Sequence, residues 1–153
     1  MSAMNLILER TEQVPYFTDI RLMLDALGVC AADYDWYISD IETNYYGTDF
    51  HSEDQWICGQ QLSDFLQNND VQFIWAVFSA VPTGHRSAVE EVPYVEGNPN
   101  YWKGTEPMPQ LAGALFEIAC WDSSATIFIG LPAEMEASLI RAYPETRPLI
   151  GAR

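Results

Sequence analysis

Four groups of residues in this chain have the types and spacing that chemistry uses. The first is His51-x-Glu53-Asp54. An imidazole beside two carboxylates can ligate zinc or relay a proton. The H-x-E of zinc deaminases works with a P-C-x-x-C partner, and the chain has none. The only other histidine is His85, so the competing reading is a solvated loop histidine. The second group is Asp33-x-Asp35 with Asp40-x-Glu42. Each pair could offer oxygens to a hard cation, but neither fits the calcium-loop pattern D-x-[DN]-x-[DN]-G with a distal glutamate. On a strand, residues i and i+2 share a face. Each pair therefore makes a patch of like charge, or guards a strand edge against aggregation.

The third group is Cys120-Trp121-Asp122-Ser123-Ser124. A nucleophilic thiol wants a histidine base, which folding would have to bring from His51 or His85. A simpler reading has Cys120 alternating with Phe116 and Ile118 on an inward face, with the acid and serines forming a turn. The fourth group is the mixture of acids and rings from Tyr34 to Trp56. Interface hot spots are enriched in Trp and Tyr, and carboxylates around them steer a basic partner. Asp33, Asp35, Asp40, Glu42, Asp49, Glu53 and Asp54 would supply the field, with Tyr37, Tyr45 and Tyr46 as anchors. Phe50 is a further candidate for an exposed ring, whereas Trp36 and Trp75 belong to the core. Gly84, Gly97 and Gly104 form neither G-x-G-x-x-G nor a P-loop. No motif names a reaction, a cofactor or a metal site.

Charge sharpens the fourth group. Between Arg21 and Arg86 there is no lysine or arginine, yet those 64 residues hold ten acids and eleven aromatics. The whole chain of 153 residues carries 22 acids against 7 Lys and Arg, a net charge of −15. Most acids therefore have no cation to pair with. A nucleic-acid ligand would need the opposite sign, and anionic membranes are disfavoured for the same reason. Acidity for solubility alone is the plain alternative. Cys30, Cys58 and Cys120 are odd in number and widely spaced, which fits reduced thiols in a cytoplasm. The chain has no 18-residue apolar run, and Met1 to Glu9 lacks a basic leader region.

The elements that must position these groups follow from periodicity. Asn5 to Glu9 reads as a short strand. Pro15 suits the first turn of a helix that carries Ile20, Met23, Leu24 and Leu27 inward and stops at Gly28. Tyr34 to Glu42 reads as a strand, with Tyr34, Trp36 and Ile38 on one face and Asp35, Tyr37, Ser39 and Ile41 on the other. Trp56 to Cys58 is a brief strand, and a helix from about Gln60 to Asn68 buries Leu62, Phe65 and Leu66. Val71 to Val81 is apolar on both faces and is the expected central strand; Val71, Phe73, Trp75 and Val77 share one face. Ala114 to Trp121 and Ala125 to Leu131 make a hairpin around Asp122-Ser123-Ser124. Pro132 opens a last helix through about Tyr143, and Leu149 and Ile150 dock. Residues 82–112 hold five prolines and three glycines, a long loop whose Tyr94, Tyr101 and Trp102 should pack it down. The expectation is one α+β domain over residues 1–153: a mostly antiparallel sheet of four to five strands with two to three helices packed on it.

The order DYDWYISDIE, WICGQQLSDFL, VQFIWAVFSAVP, FEIACWDSSATIFIGL resembles small uncharacterised bacterial α+β proteins of the domain-of-unknown-function kind. In acidity, size and Trp content it is also similar to toxin-neutralising immunity proteins. That resemblance, over roughly residues 33–140, implies a cytosolic binding protein, an inhibitor of a basic toxin or nuclease. The competing expectations are a small enzyme using His51 or His85 with Cys120 or carboxylates, and a homodimer or larger homo-oligomer built on Trp102 and the long loop.

Overall fold

The computed structural model describes residues 4–9, 19–45, 47–48, 50–104 and 106–150. Pro15, Tyr46 and Asp49 lie outside the described residues.

Helix α1 (Ile20–Leu27) begins where Asp19, in extended conformation, accepts the Leu22 N–H at 3.2 Å. It ends at Gly28, whose φ of 77° turns its N–H back to the Asp25 carbonyl. Helix α2 (Gly59–Asn68) follows directly on strand β3 (Gln55–Cys58), and helix α3 (Ala133–Ala142) follows Pro132. The other strands are β1 (Met4–Glu9), β2 (Tyr34–Thr43), β4 (Phe73–Pro82), β5 (Phe116–Trp121), β6 (Ala125–Leu131) and β7 (Arg147–Pro148). They form one sheet in the order β3-β2-β4-β5-β6-β1-β7, antiparallel at every pairing.

The fold is therefore α+β with three helices among the described residues. The sheet has seven strands there, rather than the four to five expected. The brief strand read at Trp56 to Cys58 does join the sheet as β3, whereas β7, two residues long, is too short to print an alternating pattern. The hairpin turn at Asp122 and Ser123 has positive φ at both residues, with Ser124 N–H bonded to the Trp121 carbonyl, which is type I′ geometry matched to strand twist.

All three helices cover one face of the sheet. Ile20, Met23 and Leu27 of α1, Leu62 and Phe65 of α2, and Leu139 of α3 pack there on Trp36, Ile38, Phe78, Phe116 and Phe128. The opposite face is covered by the connection 83–115. A 3₁₀ turn at Pro99–Trp102 buries Tyr101 against Val77, Ala119 and Ile127, and half-buried Trp102 packs edge-on to Trp121. The long loop does pack down, as its aromatics suggest, although Tyr94 stays 43% exposed. Leu149 is buried and Ile150 is not. No helix among the described residues is long and apolar enough to cross a membrane.

Strict alternation fails at two places. Ser39 pairs with Val77 and Glu42 with Trp75, so β2 holds one extra residue there. The bulge sits at Asp40, whose φ is 56°. Beyond it Ile41 packs with the helix-side core, not on the face of Asp35 and Tyr37. A compensating irregularity in β4 puts Phe73 and Val71 on the helix side, while Trp75 and Val77 face the loop.

Candidate functional site

The acids of β2 act first on the chain itself. Asp35 is buried; its Oδ2 accepts Arg86 Nε at 3.0 Å and the Gly84 N–H at 3.2 Å. The Arg86 guanidinium also lies 5.7 Å from the centre of the Trp56 ring. Asp40 Oδ2 accepts the N–H groups of Val95 and Glu96, both at 2.8 Å. Between them the Ser39 hydroxyl donates to the Pro93 carbonyl at 2.8 Å. Three residues of β2 thus bind the start and middle of the covering loop.

Glu117 of β5 binds the loop's end. It is fully buried. Its Oε1 accepts the Gln110 N–H at 2.7 Å, and its Oε2 accepts the Leu111 N–H at 2.9 Å and the Ser79 hydroxyl at 2.7 Å. Burial pushes its carboxyl above the ordinary glutamate value, while these three hydrogen bonds pull the other way. Tyr101, beside it, is raised by burial and by the Glu117 charge. Sequence reasoning passed over Glu117. The available signal was an acid in the middle of the apolar run ALFEIACW.

These placements correct the expectation of a continuous exposed patch. Asp35 and Tyr37 are buried, and Tyr37 packs edge-on to Trp56 with ring centres 5.2 Å apart. Phe50 is also buried, stacked on Phe65, and half-buried Tyr45 meets Phe65 edge-on. Asp40 is half-buried and taken up by the loop. The reason is that both faces of the sheet are covered, so the outer face of β2 is a second core. Asp33, Glu42, Glu53 and Asp54 are exposed. Asp33 accepts the Cys30 N–H, and Asp54 Oδ1 accepts the Asp40 N–H at 3.1 Å.

The residues of the enzyme reading stand in different surroundings, Cys120 in the core and the two histidines at the surface. Cys120 is fully buried, and burial drives its thiol far up, where it is a poor nucleophile. His51 and His85 are exposed. His51 Nδ1 lies 3.3 Å from Gln55 Nε2, and His85 Nδ1 is 3.1 Å from the Thr83 carbonyl. Among the described residues, no cluster of three or more His, Cys, Asp or Glu could hold a metal ion.

One cleft does lie beside the acidic segment. It opens between edge strand β3 and helix α2 and encloses about 380 Å³. Trp56, Ile57 and Phe65 give it apolar lining. Gln55, Gln61, Asp64 and Asn68 give it amides and a carboxylate, with His51 at the turn before β3. Glu53 and Asp54 immediately precede β3 and are exposed. The cleft can hydrogen-bond a polar backbone, bury an apolar side chain and attract a cation. Comparison with protein-family models, curated proteins and solved structures returns no match.

Proposed function

We propose that this chain is a cytosolic acidic binding protein that holds a basic protein partner at the β3–α2 face, in the manner of an immunity-type inhibitor of a basic toxin or nuclease. One observation carries the reading. Every residue lining the cleft lies between Arg21 and Arg86, the stretch without a lysine or arginine. Among the described residues, Asp64 in the cleft and Glu53 and Asp54 beside it form no ion pair. Arg86, the cation that closes the stretch on its C-terminal side, is bound by Asp35. An uncompensated field of this kind accelerates encounter with a cationic surface at low salt, and the half-buried Trp56 and Ile57 offer the apolar contact that holds it.

The test is titration calorimetry against the product of a neighbouring gene that encodes a basic domain, using the wild type and the variant Glu53→Lys/Asp54→Lys/Asp64→Lys. The expected result is wild-type binding that weakens steeply with salt, and at least a tenfold loss in the variant. Binding that ignores the three reversals overturns the reading. Asp35 and Asp40 are unsuitable for reversal, because each would release the covering loop as well.

A further inference from the structure

Resting on that reading, we infer that the partner is held by strand addition: an extended basic segment pairs with the free edge of β3 and lies along α2. Strand β3 ends the sheet. β2 pairs with one side of it, and among the described residues no strand pairs with the other. Its outward backbone groups can thus take an eighth strand of the right conformation. Four residues at about 3.3 Å each give an edge of about 13 Å, enough for one short extended segment.

The two edges of the sheet differ in how they are defended. Natural edges are blunted by charged residues, prolines, bulges and short length. β7, at the far edge, consists of Arg147 and Pro148 and pairs over two residues. β3 has the sequence Gln55-Trp56-Ile57-Cys58, with no charge and no proline, and it pairs with β2 without a bulge. The β7 edge combines a charge, a proline and short length, whereas β3, at four residues, has short length alone.

The surroundings select a basic segment. Side chains of an added strand alternate between its two faces. On the α2 side they meet Ile57 and Phe65, the amides of Gln61 and Asn68, and the Asp64 carboxylate. A lysine or arginine there finds Asp64, its stem lies against Phe65, and the apolar residues alternating with it fall on the side of Trp56. A second copy of this chain is disfavoured as occupant, since each brings a net charge of −15 and would set like charges against each other.

The probe is a short synthetic peptide of alternating lysine and valine. A second peptide has the same sequence with the lysine amides N-methylated, and a third has the valine amides N-methylated. Each methylated form keeps the charge and loses one hydrogen-bonding edge. Strand addition predicts binding of the unmodified peptide, at least tenfold slower amide hydrogen exchange within Gln55–Cys58, and at least tenfold weaker binding for one methylated form. Asp64→Lys should weaken the unmodified peptide by a similar factor. Equal binding of all three peptides overturns strand addition while leaving a charge-driven basic partner in place. No binding of any peptide, or protection at the Arg147 amide instead, also overturns it, and the first of these removes the basic-partner reading at this face too. A dimer in sedimentation at the concentration used would assign the edge to a second copy and overturn the proposal.

Discussion

Glu117 is the most consequential single side chain in this fold, because three donors depend on it. Its isostere Glu117→Gln must turn an NH₂ toward Gln110 N–H or Leu111 N–H, leaving a buried donor without an acceptor. A loss of about 2 kcal/mol is expected in urea unfolding, against about 1 kcal/mol for Ser79→Ala, which removes one hydroxyl. The pH dependence has a definite sign. Burial raises the Glu117 carboxyl in the folded chain above its ordinary value of 4.5, so the folded state binds the proton more tightly. Its contribution to stability is full below 4.5 and is lost as pH rises through the raised value. Unfolding free energies at several pH values should show the margin of wild type over Glu117→Gln shrinking across that window. A margin that grows would mean that the hydrogen bonds outweigh desolvation. Gly59 makes a different demand: a Cβ there would meet the carbonyl oxygens of Ala31 and Tyr34 and the Cα of Ala32, all backbone. Gly59→Ala should cost about 3 kcal/mol or prevent folding, read by thermal melting.

The loop over the second face is an element held by carboxylates rather than by a strand ladder. Asp35 takes its beginning, Asp40 its middle and Glu117 its end. Asp40→Ala should therefore raise hydrogen exchange at Val95 and Glu96 by an order of magnitude or more and leave β4 and β5 protected; Asp40→Asn, which keeps an acceptor oxygen, should change little. If Asp40→Ala leaves those two amides protected, Asp40 is not the clasp. Periodicity found α1, α2 and α3, since each buries one stripe over several turns, and continuous apolar runs bounded by turn residues found the hairpin and the central strand. It could not find β7, nor the flip of Ile41 and Phe73 to the helix side, because a one-residue bulge is invisible to a rule of period two. It also read Asp35, Tyr37 and Asp40 as exposed. Polar type suggests solvent, but a loop with free N–H groups is an equally good partner for a carboxylate. Of the expected contact residues, Asp33, Glu42, Glu53 and Asp54 stand at the surface, and the cleft lined by Gln61, Asp64 and Asn68 needed the juxtaposition of α2 with β3.

At the scale of the whole molecule, 22 acids face 7 lysines and arginines, and two ion pairs are made among the described residues, Asp35–Arg86 and Glu9–Arg147. Repulsion within the chain should dominate over these pairs. The melting temperature should rise as sodium chloride increases from low to about 0.5 M, where the Debye length falls to a few ångströms. A falling melting temperature would show that the two pairs outweigh the repulsion. The same field, concentrated where the chain has no cation, is what the proposed function uses. The most direct test is chemical-shift mapping of ¹⁵N-labelled protein titrated with the alternating lysine–valine peptide. The account predicts shifts confined to Glu53–Cys58 and the Gln61–Asn68 side of α2, fading with salt. Shifts that centre on the covering loop or on α3, or that spread evenly over the acidic surface, would contradict it.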